Sequence, residues 1–209
     1  FLTNVSKIFR KSIDTNIIAI TGSCGKTTLK ELLGNVLGKI SKVTVSPKSY
    51  NNKFGVPLSL FNIKQTDEFG VIEVGMDRKG EINYLSKIIQ PDVGVITNIN
   101  YAHVKNFKNI KQIALAKSEI INNIKPCGFI VLNSDDSFFE LHKKIAKEKN
   151  LNVISFGIKN KKADVKLINI ISFRKKFKIN ISLNNKKKYF LLSNDFQNNL
   201  YNTLSALAV

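Results

Sequence analysis

The sequence has few of the residues that cross-link small secreted domains or coordinate structural zinc. Its 209 residues include two cysteines, Cys24 and Cys127, two histidines and no tryptophan. Two cysteines cannot form a disulfide framework, and the absence of a CxxC pair or a Cys/His cluster gives no indication of structural zinc. A chain of this length can bury enough apolar surface to be stable without such cross-links.

Long hydrophobic runs are also missing. The apolar runs at residues 17–20 and 129–132 are far shorter than the ~20 residues that a membrane-spanning helix needs. No charged segment followed by an apolar stretch and a small-residue cleavage site is visible. We therefore expect a soluble, cytoplasmic protein. Because the sequence starts at Phe1 and ends at Val209 inside a predicted helix, we also expect it to be a piece of a longer polypeptide.

Acidic residues are scarce relative to basic ones. Fifteen Asp and Glu stand against 33 Lys and Arg, which gives a formal net charge of +18. Such an excess can indicate nucleic-acid binding. The lysine clusters of the last third, however, fall on a predicted helix face and on hairpin turns, without a helix-turn-helix, RNP-type or KH-type signature. We interpret the charge as a solvated surface that helps to hold anionic substrates, and we expect neither a nucleic-acid partner nor membrane insertion.

The hydrophobic pattern predicts an α/β domain. Short apolar runs alternate with helical repeats up to about residue 156, which is typical of a mostly parallel sheet. The predicted strands are residues 16–21, 42–45, 69–74, 93–98, 128–132 and 153–156. The predicted helices are residues 26–37, 54–61, 81–89, 110–124, 137–149 and, at the end of the chain, 197–208. Residues 165–171, 176–183 and 188–192, separated by short polar breaks, predict an antiparallel meander or small side sheet near the C-terminus.

The strongest chemical signal is the segment TGSCGKTT at residues 21–28, which follows a predicted strand and opens a helix. This context is the one that a phosphate-binding loop requires. Glycines let backbone N–H groups approach phosphate oxygens, the helix N-terminus adds positive potential, and Lys26 adds a charge. A full Walker pattern needs glycine at the position of Ile20, so the loop is a shortened variant. The nucleotide-binding residues that we predict are Gly22, Ser23, Cys24, Gly25, Lys26, Thr27 and Thr28.

Together with further blocks, this loop resembles the Mur ligase and folylpolyglutamate synthetase superfamily, whose members join a carboxylate to an amine with ATP. The blocks occupy residues 49–60 (SYNNKFGVPLSL), 71–76 with 80–82, 97–99 with 102–103 and 107, 116–120, and 131–136. They occur in family order and cover almost the whole chain. They are most similar to the Mur ligase branch that adds D-Ala-D-Ala to UDP-MurNAc-tripeptide, in the synthesis of peptidoglycan precursors.

The resemblance implies a P-loop-type, mostly parallel sheet flanked by helices, with residues 16–209 as a central ATP-binding domain. Residues 1–15 would be the end of a linker from an N-terminal domain, and a C-terminal domain would also be missing. The implied partners are UDP-MurNAc-tripeptide, D-Ala-D-Ala and those two domains, with ATP and two Mg²⁺ ions as cofactors, in a monomer. We expect the isolated domain to bind ATP·Mg²⁺ weakly and to show negligible ligase activity.

The resemblance also implies roles for single residues, and the catalytic residues that it implies are Lys26, His103 and Lys117. Lys26 would contact the β- and γ-phosphates, while Thr27 and Glu73 would hold the first Mg²⁺ and His103 the second. In related ligases the lysine equivalent to Lys117 is carbamylated, which makes it an anion that can support Mg²⁺. Glu73 follows a buried strand, where an unpaired carboxylate is costly, so either a salt bridge or a metal is expected beside it.

Three asparagines complete the predicted site. Asn51 and Asn52 would face the acyl substrate or the γ-phosphate. Asn202 matches a family asparagine near adenine, whose amide can pair with the donor and acceptor edge of the base. Asn198 and Phe196 stand where the family has histidine and glycine, so the sequence departs from the pattern at the adenine contact.

Three alternative functions remain open at this stage. One is another ligase of the superfamily, such as the diamino-acid-adding Mur enzyme or a folylpolyglutamate synthetase, although the blocks at residues 50–60 and 80–82 argue against both. Another is a basic P-loop ATPase that acts on nucleic acid. The third is a non-catalytic nucleotide-binding remnant.

Overall fold

The predicted alternation of strands and helices is confirmed by the structure, a computed structural model that describes residues 1–101, 106–173, 176–193 and 199–209. The strands are β1 (Asn16–Thr21), β2 (Val43–Val45), β3 (Phe69–Glu73), β4 (Val93–Ile96), β5 (Phe129–Asn133), β6 (Asn152–Gly157), β7 (Val165–Phe173), β8 (Lys176–Leu183) and β9 (Lys186–Ser193). The helices are α1 (Leu2–Ser12), α2 (Lys26–Leu37), α3 (Gly55–Phe61), α4 (Glu81–Ile89), α5 (Ile110–Ser118), α6 (Phe139–Glu148) and α7 (Leu200–Ala208). Within the described residues, no helix combines the length and the apolar character needed to cross a membrane.

The strands form one sheet in the order β2-β3-β1-β4-β5-β6-β7-β8-β9. Strands β2 to β7 of this order pair in parallel, and β8 and β9 then add antiparallel. The predicted antiparallel strands are therefore present, but they continue the main sheet. The pairing that joins these strands to the rest of the sheet is short, because β7 pairs with β6 only through Val165 opposite Phe156 and Lys166 opposite Gly157.

Each face of the parallel strands is covered by its own hydrophobic core. Alternate residues of β1 supply the two cores: Ile17 and Ala19 face α3 to α6, and Ile18 and Ile20 face α2 and α7. The connection from β1 to β2 runs in one direction along the sheet, and the connections through α3 to α6 run in the other. Because such crossovers are right-handed, α2 lies on one face of the sheet and α3 to α6 lie on the other. The functional consequence is that the chain leaves β1 and β4, which are neighbours, towards opposite faces.

Several predicted helices differ in extent from the observed ones, and helix α1 was not predicted. The predicted helix at residues 110–124 consists of α5 followed by a 3-10 helix over Glu119–Asn123. The predicted helix at 137–149 is shorter at both ends, as α6. Helix α1 falls in the segment that we interpret as a linker, and its Phe9 ring packs on Phe61 of α3 with 5.4 Å between ring centroids.

The buried Arg10 fixes α1 to the body of the domain. Its side chain is 3% exposed and donates to the carbonyl oxygens of Ile89 (2.7 Å), Gln90 (3.1 Å) and Ile13 (3.3 Å). It also forms an ion pair with Asp92 at 3.1 Å. Burial lowers the pKa of Arg10, and the charge of Asp92 opposes that shift. The guanidinium thus joins the end of α4 to the start of β4.

We predict that Arg10→Met destabilises the domain by about 3 kcal/mol, because the change leaves a carboxylate and several carbonyl groups without their donor. Denaturant unfolding followed by circular dichroism measures the free energy of unfolding. Lys11→Met is the matched control, since Lys11 is the next residue of α1 and is exposed. Its effect should stay within about 0.5 kcal/mol. Equal stability of the two variants would contradict a role for the Arg10 contacts.

Candidate functional site

The phosphate-loop segment joins the carboxyl end of β1 to the start of α2, as the sequence predicts. It lies where β1 and β4 diverge to opposite faces, and ligands of open α/β sheets bind in such a crevice. Gly25 precedes α2 with φ of +84°, a left-handed conformation that glycine adopts without strain. The N-cap residue, Gly25, has no side chain that could cap α2, so the N–H groups of the first turn are candidate phosphate donors.

The first half of the loop is held by the segment that follows β4. Thr97 Oγ1 donates to the carbonyl oxygen of Cys24 at 2.7 Å, and the N–H of Cys24 donates to Asn98 Oδ1 at 3.0 Å. The N–H of Ser23 donates to the carbonyl oxygen of Asn98 at 2.9 Å. A Cβ atom on Gly22 would lie 1.9 Å from Thr97 Oγ1, so the close approach requires glycine. The amides of Ser23 and Cys24 thus support the loop, and those at the start of α2 are better placed for phosphate.

Two lysines converge on the carbonyl oxygen of Gly22. Lys26 Nζ donates to it at 3.1 Å and Lys117 Nζ, from α5, at 2.9 Å. Lys117 is only 2% exposed. Burial lowers the pKa of Lys117 to about 7, and the nearby charge of Lys26 contributes in the same direction, whereas Cys24 opposes it. The structure thus places the two predicted catalytic lysines side by side, with one of them substantially neutral near pH 7.

Glu73 lies at the carboxyl end of β3 with its side chain turned towards the loop. It is 1% exposed, and its Oε2 accepts a hydrogen bond from Thr27 Oγ1 at 2.8 Å. Its Oε1 accepts one from Asn51 Nδ2, also at 2.8 Å. These partners are a hydroxyl and an amide rather than a cation, so the salt bridge considered from the sequence is not what satisfies this carboxylate in the described contacts. Thr27 and Thr28 are both exposed, and of these two hydroxyls it is that of Thr27 that contacts Glu73.

The donor set around Glu73 fits magnesium better than a metal that needs a cage of protein ligands. Among the described residues, no three His, Cys, Asp or Glu side chains are grouped to hold a metal. Mg²⁺ is commonly bound through one or two carboxylates, with waters and substrate phosphates completing the shell. One carboxylate and one hydroxyl beside a phosphate loop match that requirement.

A cleft of about 680 Å³ opens beside Lys26 and contains both asparagines predicted to bind substrate. Asn51 is engaged with Glu73, and Asn52 Oδ1 accepts the N–H groups of Phe54 and Gly55 at 3.0 Å each, which caps α3. The charged side chains of the lining are basic Lys26, Lys53, Arg78 and Lys79 and acidic Asp77 and Glu81, so basic groups outnumber acidic ones. The cleft therefore suits an anionic substrate.

Asn202 lies against the phosphate loop rather than at a distance from it. A Cβ atom on Gly25 would lie 2.7 Å from Asn202 Oδ1, so the two residues are in close contact. The neighbouring Tyr201 donates its hydroxyl to Asp135 Oδ2 at 3.1 Å, which ties the start of α7 to the end of β5. Burial raises the pKa of Tyr201 to about 12, with the Asp135 charge acting in the same direction. The role of Asn202 at adenine stays a prediction.

Asp135 itself organises the loop after β6. Its carboxylate accepts the N–H groups of Ile158 (2.6 Å), Lys159 (2.9 Å) and Asn160 (2.7 Å). Burial acts to raise its pKa, but these N–H groups and the Tyr201 hydroxyl outweigh it, so that the pKa lies below the ordinary value. Asp135 thus links three chain segments on the side of the loop where α7 begins.

Some predicted residues cannot be placed, and some contacts were not predicted. His103, predicted as a metal ligand and catalytic residue, lies outside the described residues, as do Phe196 and Asn198. The sequence analysis did not single out Lys30 or Ser46 for the site, and it used Thr97 and Asn98 only as part of a motif. A motif shows that such residues belong together, but it does not show which carbonyl or amide each one contacts.

Comparisons with known proteins show which family this fold and sequence belong to. The model of the family described as Mur ligase middle domain matches residues 20–209. A UDP-N-acetylmuramoyl-tripeptide–D-alanyl-D-alanine ligase from Buchnera aphidicola is 42% identical over 153 residues, which are 73% of this chain and 33% of that protein. Among solved structures, MurF from Acinetobacter baumannii has a TM-score of 0.89 and 30% identity, and covers 99% of this chain and 45% of its own.

A second solved structure is MurF ligase from Thermotoga maritima in complex with ADP. It has a TM-score of 0.88 and 28% identity, and the match covers 99% of this chain and 47% of that one. The chain thus spans less than half of the length of each of these relatives. With a family model that matches nearly all of it, the chain belongs to the Mur ligase middle domain family.

Proposed function

We propose that the 209 residues are the central ATP-binding domain of an ATP-dependent ligase that adds D-Ala-D-Ala to UDP-MurNAc-tripeptide in peptidoglycan precursor synthesis. The observation that carries the proposal is the convergence of Lys26, Lys117 and the Thr27–Glu73 pair on one phosphate loop. The names of the curated relative and of the solved structures support the choice of this branch of the family. In this proposal, residues 1–15 are the end of a connection from a preceding domain, and a further domain follows.

The phosphate loop binds the nucleotide through α2. The N–H groups of the first turn of α2 receive phosphate oxygens, and the positive end of the helix favours their negative charge. Lys26 now contacts the Gly22 carbonyl, and on binding it turns to the β- and γ-phosphates, where its charge is more strongly satisfied. We assign the base contact to Asn202, whose side chain already lies against Gly25.

Thr27 and Glu73 are the residues that would hold Mg²⁺, and His103 would help to hold a second ion. When bound, Mg²⁺ neutralises charge that develops between the β- and γ-phosphates. The protein prepares for this by placing the Glu73 carboxyl group 2.8 Å from the Thr27 hydroxyl, without a cationic partner in the described contacts. Displacing a neutral hydrogen-bond donor costs less than breaking a buried ion pair.

The reaction forms an amide from a carboxylate in two steps. A carboxylate oxygen of the tripeptide attacks the γ-phosphorus, the bond from phosphorus to the ADP oxygen breaks, and an acyl phosphate forms. The amine of D-Ala-D-Ala then attacks the acyl carbon and loses a proton to solvent, and phosphate leaves from the tetrahedral intermediate. Both reactants of the first step are anions, so the positive cleft and Lys26 bring them together. Asn51 and Asn52 line the cleft where the acyl group would lie.

Lys117 is suited to react with carbon dioxide. A neutral amine attacks CO₂, an N–C bond forms, and one proton leaves to solvent, which gives a carbamate anion. A lysine with a pKa of about 7 has a large neutral fraction at neutral pH, whereas an ordinary lysine does not. The reaction also replaces the repulsion between two adjacent cations by an attraction. We therefore propose that Lys117 is carbamylated and that its carbamate supports Mg²⁺.

We place the ligase in the cytoplasm, where ATP is available, and we propose that it acts as a monomer. The whole reaction is assigned to the longer protein and not to these residues alone. Turnover would need a domain that supplies the UDP-sugar site and another that closes over ATP.

We predict that the longer protein releases phosphate from ATP only when UDP-MurNAc-tripeptide and D-Ala-D-Ala are both present, whereas the 209-residue chain shows negligible turnover. A coupled phosphate assay measures this, with the corresponding dipeptide precursor plus a diamino acid, and a folate plus glutamate, as alternative substrate pairs. Phosphate release with either alternative pair, and none with D-Ala-D-Ala, would contradict the assignment to this branch.

For the nucleotide site, Lys26→Ala should weaken binding of ATP·Mg²⁺ to the chain by at least about tenfold in titration calorimetry, because a charge-assisted contact to phosphate is lost. Lys39→Ala removes the same charge just beyond the other end of α2, where the side chain is exposed, and should leave the affinity unchanged. If Lys26→Ala binds as tightly as the unmodified chain, the phosphate-loop assignment is wrong.

The Lys117 prediction concerns the pH dependence of stability. Between pH 7 and 10.5 the unfolded chain holds the Lys117 proton and the folded chain does not. The stability that Lys117 contributes should therefore rise with pH across this window, by about 1.4 kcal/mol per pH unit, and be flat below pH 7. The free energy of unfolding is measured against pH in CO₂-free buffer for the unmodified chain and for Lys117→Met. The difference between the two curves gives the contribution of Lys117.

The control for Lys117 is Lys111→Met, an exposed position of α5 that should show no such slope. In bicarbonate buffer with Mg²⁺ and ATP, intact mass should show an addition of one CO₂ that Lys117→Met does not acquire. A slope of zero would mean that Lys117 keeps its ordinary pKa in the fold, and a free amine in the metal-bound protein would refute carbamylation.

A further inference from the structure

Lys30 is a buried cation for which the proposed reaction has no use. It lies on α2, three residues after Thr27, and is 0% exposed. Burying an ammonium group is costly unless each of its donors is paired. Lys30 Nζ donates to the carbonyl oxygen of Ser46 at 2.8 Å and to that of Lys48, and it pairs with Glu31 Oε1 at 3.1 Å. All three donors of the ammonium are therefore used.

Both carbonyl groups belong to residues 46–51, the segment that joins β2 to α3. Within this segment Lys48 has φ of +42°, a left-handed conformation that costs a lysine about 1 kcal/mol. The ammonium group contacts the carbonyl of Lys48 itself and that of Ser46, two residues before it. Lys30 thus stabilises a turn that its own backbone does not favour.

The same segment holds Glu73 at two points. The N–H of Glu73 donates to Ser46 Oγ at 3.2 Å, and Asn51 Nδ2 donates to Glu73 Oε1 at 2.8 Å. In addition, the N–H of Gly75 donates to the carbonyl oxygen of Asn51 at 2.8 Å. The turn that Lys30 stabilises is therefore the element that fixes one oxygen of the Glu73 carboxylate, while Thr27 fixes the other.

We infer that Lys30 is a positioning residue for the Glu73 carboxylate. It acts through the turn at residues 46–51, which presents Asn51 to Glu73. This inference rests on the proposed function, in which Thr27 and Glu73 hold Mg²⁺. Mg²⁺ tolerates little departure from octahedral geometry, so a ligand that rotates freely binds it poorly. Groups that orient a metal ligand commonly change metal affinity by about 10- to 100-fold when they are removed.

Helix α2 therefore determines the positions of both residues of the metal-binding pair, Thr27 and Glu73. Thr27 and Lys30 are three residues apart on α2 and lie on the same side of the helix. Thr27 supplies its hydroxyl directly. Lys30 positions Glu73 indirectly, because it stabilises the turn at residues 46–51. A shift of α2 on nucleotide binding would move the two together, which keeps their spacing constant.

The test compares binding of ATP to the chain with Mg²⁺ and in EDTA, by titration calorimetry. In Lys30→Met, the affinity in EDTA should change by less than about twofold, and the gain in affinity that Mg²⁺ provides should fall by about tenfold or more. Glu31→Gln is the matched control, because it removes the exposed partner of Lys30 and leaves the two carbonyl contacts. It should keep the full gain. A full gain in Lys30→Met as well would overturn the inference.

A double-mutant cycle separates positioning from a general loss of stability. If Lys30 acts through Asn51, the variant with both Lys30→Met and Asn51→Ala should lose no more of the Mg²⁺-dependent gain than the weaker-binding single variant. Additive losses would show that the two residues act independently and would overturn the inference. Thermal unfolding followed by circular dichroism confirms that each variant is folded.

If Lys30→Met does not fold, Lys30→Arg and Lys30→Gln replace it. The Mg²⁺-dependent gain should then decrease in the order Lys, Arg, Gln, as charge and donors are lost, and equal gains would overturn the inference. Measurements on the unmodified chain distinguish a failure of this inference from a failure of the proposed function. If it shows no Mg²⁺-dependent gain, the metal assignment itself fails, whereas a gain that survives every change of Lys30 refutes only the positioning role.

Discussion

The buried carboxylate of Glu73 is the interaction on which the site depends. It stands at the end of β3, at the junction of three chain segments: the start of α2 through Thr27, the turn after β2 through Asn51, and β3 itself. Its described partners are a hydroxyl and an amide, which are neutral and form weaker hydrogen bonds with a carboxyl group than a cation does. The fold thus leaves this group without a cation among its described partners, a position that a divalent ion can fill.

Much of this arrangement follows from the sequence, because it depends on local order. The loop at residues 21–28 joins a strand to a helix, and Glu73 is the last residue of a second strand that pairs in parallel with the first. Parallel strands place their carboxyl ends at one edge, so a loop after one strand and an acid at the end of its neighbour come together. The same reasoning accounts for the approach of Thr97 to Gly22, since β4 also pairs with β1.

The features that were not predicted are contacts between groups far apart in sequence, made by side chains of ordinary appearance. Lys30 reads as one more lysine in a chain with 33 basic residues, and only the fold shows that the carbonyl groups of residues 46 and 48 surround it. Arg10 is similar, because all of its acceptors except the nearby Ile13 carbonyl lie some 80 residues away. Hydrophobic periodicity reports which face of a helix is buried, but it does not report which cation is buried with it.

The extension of the sheet to β9 has a consequence for how the molecule behaves in a crowded solution. Among the described residues, no strand pairs with the outer edge of β9, and such an edge can recruit the same strand of another copy. Here Lys186, Lys187 and Lys188 occupy consecutive exposed positions at its start. Two copies that approached edge to edge would bring these charges together, and the repulsion counteracts the attraction between the exposed Tyr189 and Leu191 side chains. The excess of lysine therefore protects a long β-edge from self-association, which is a use for positive charge that involves no ligand at all.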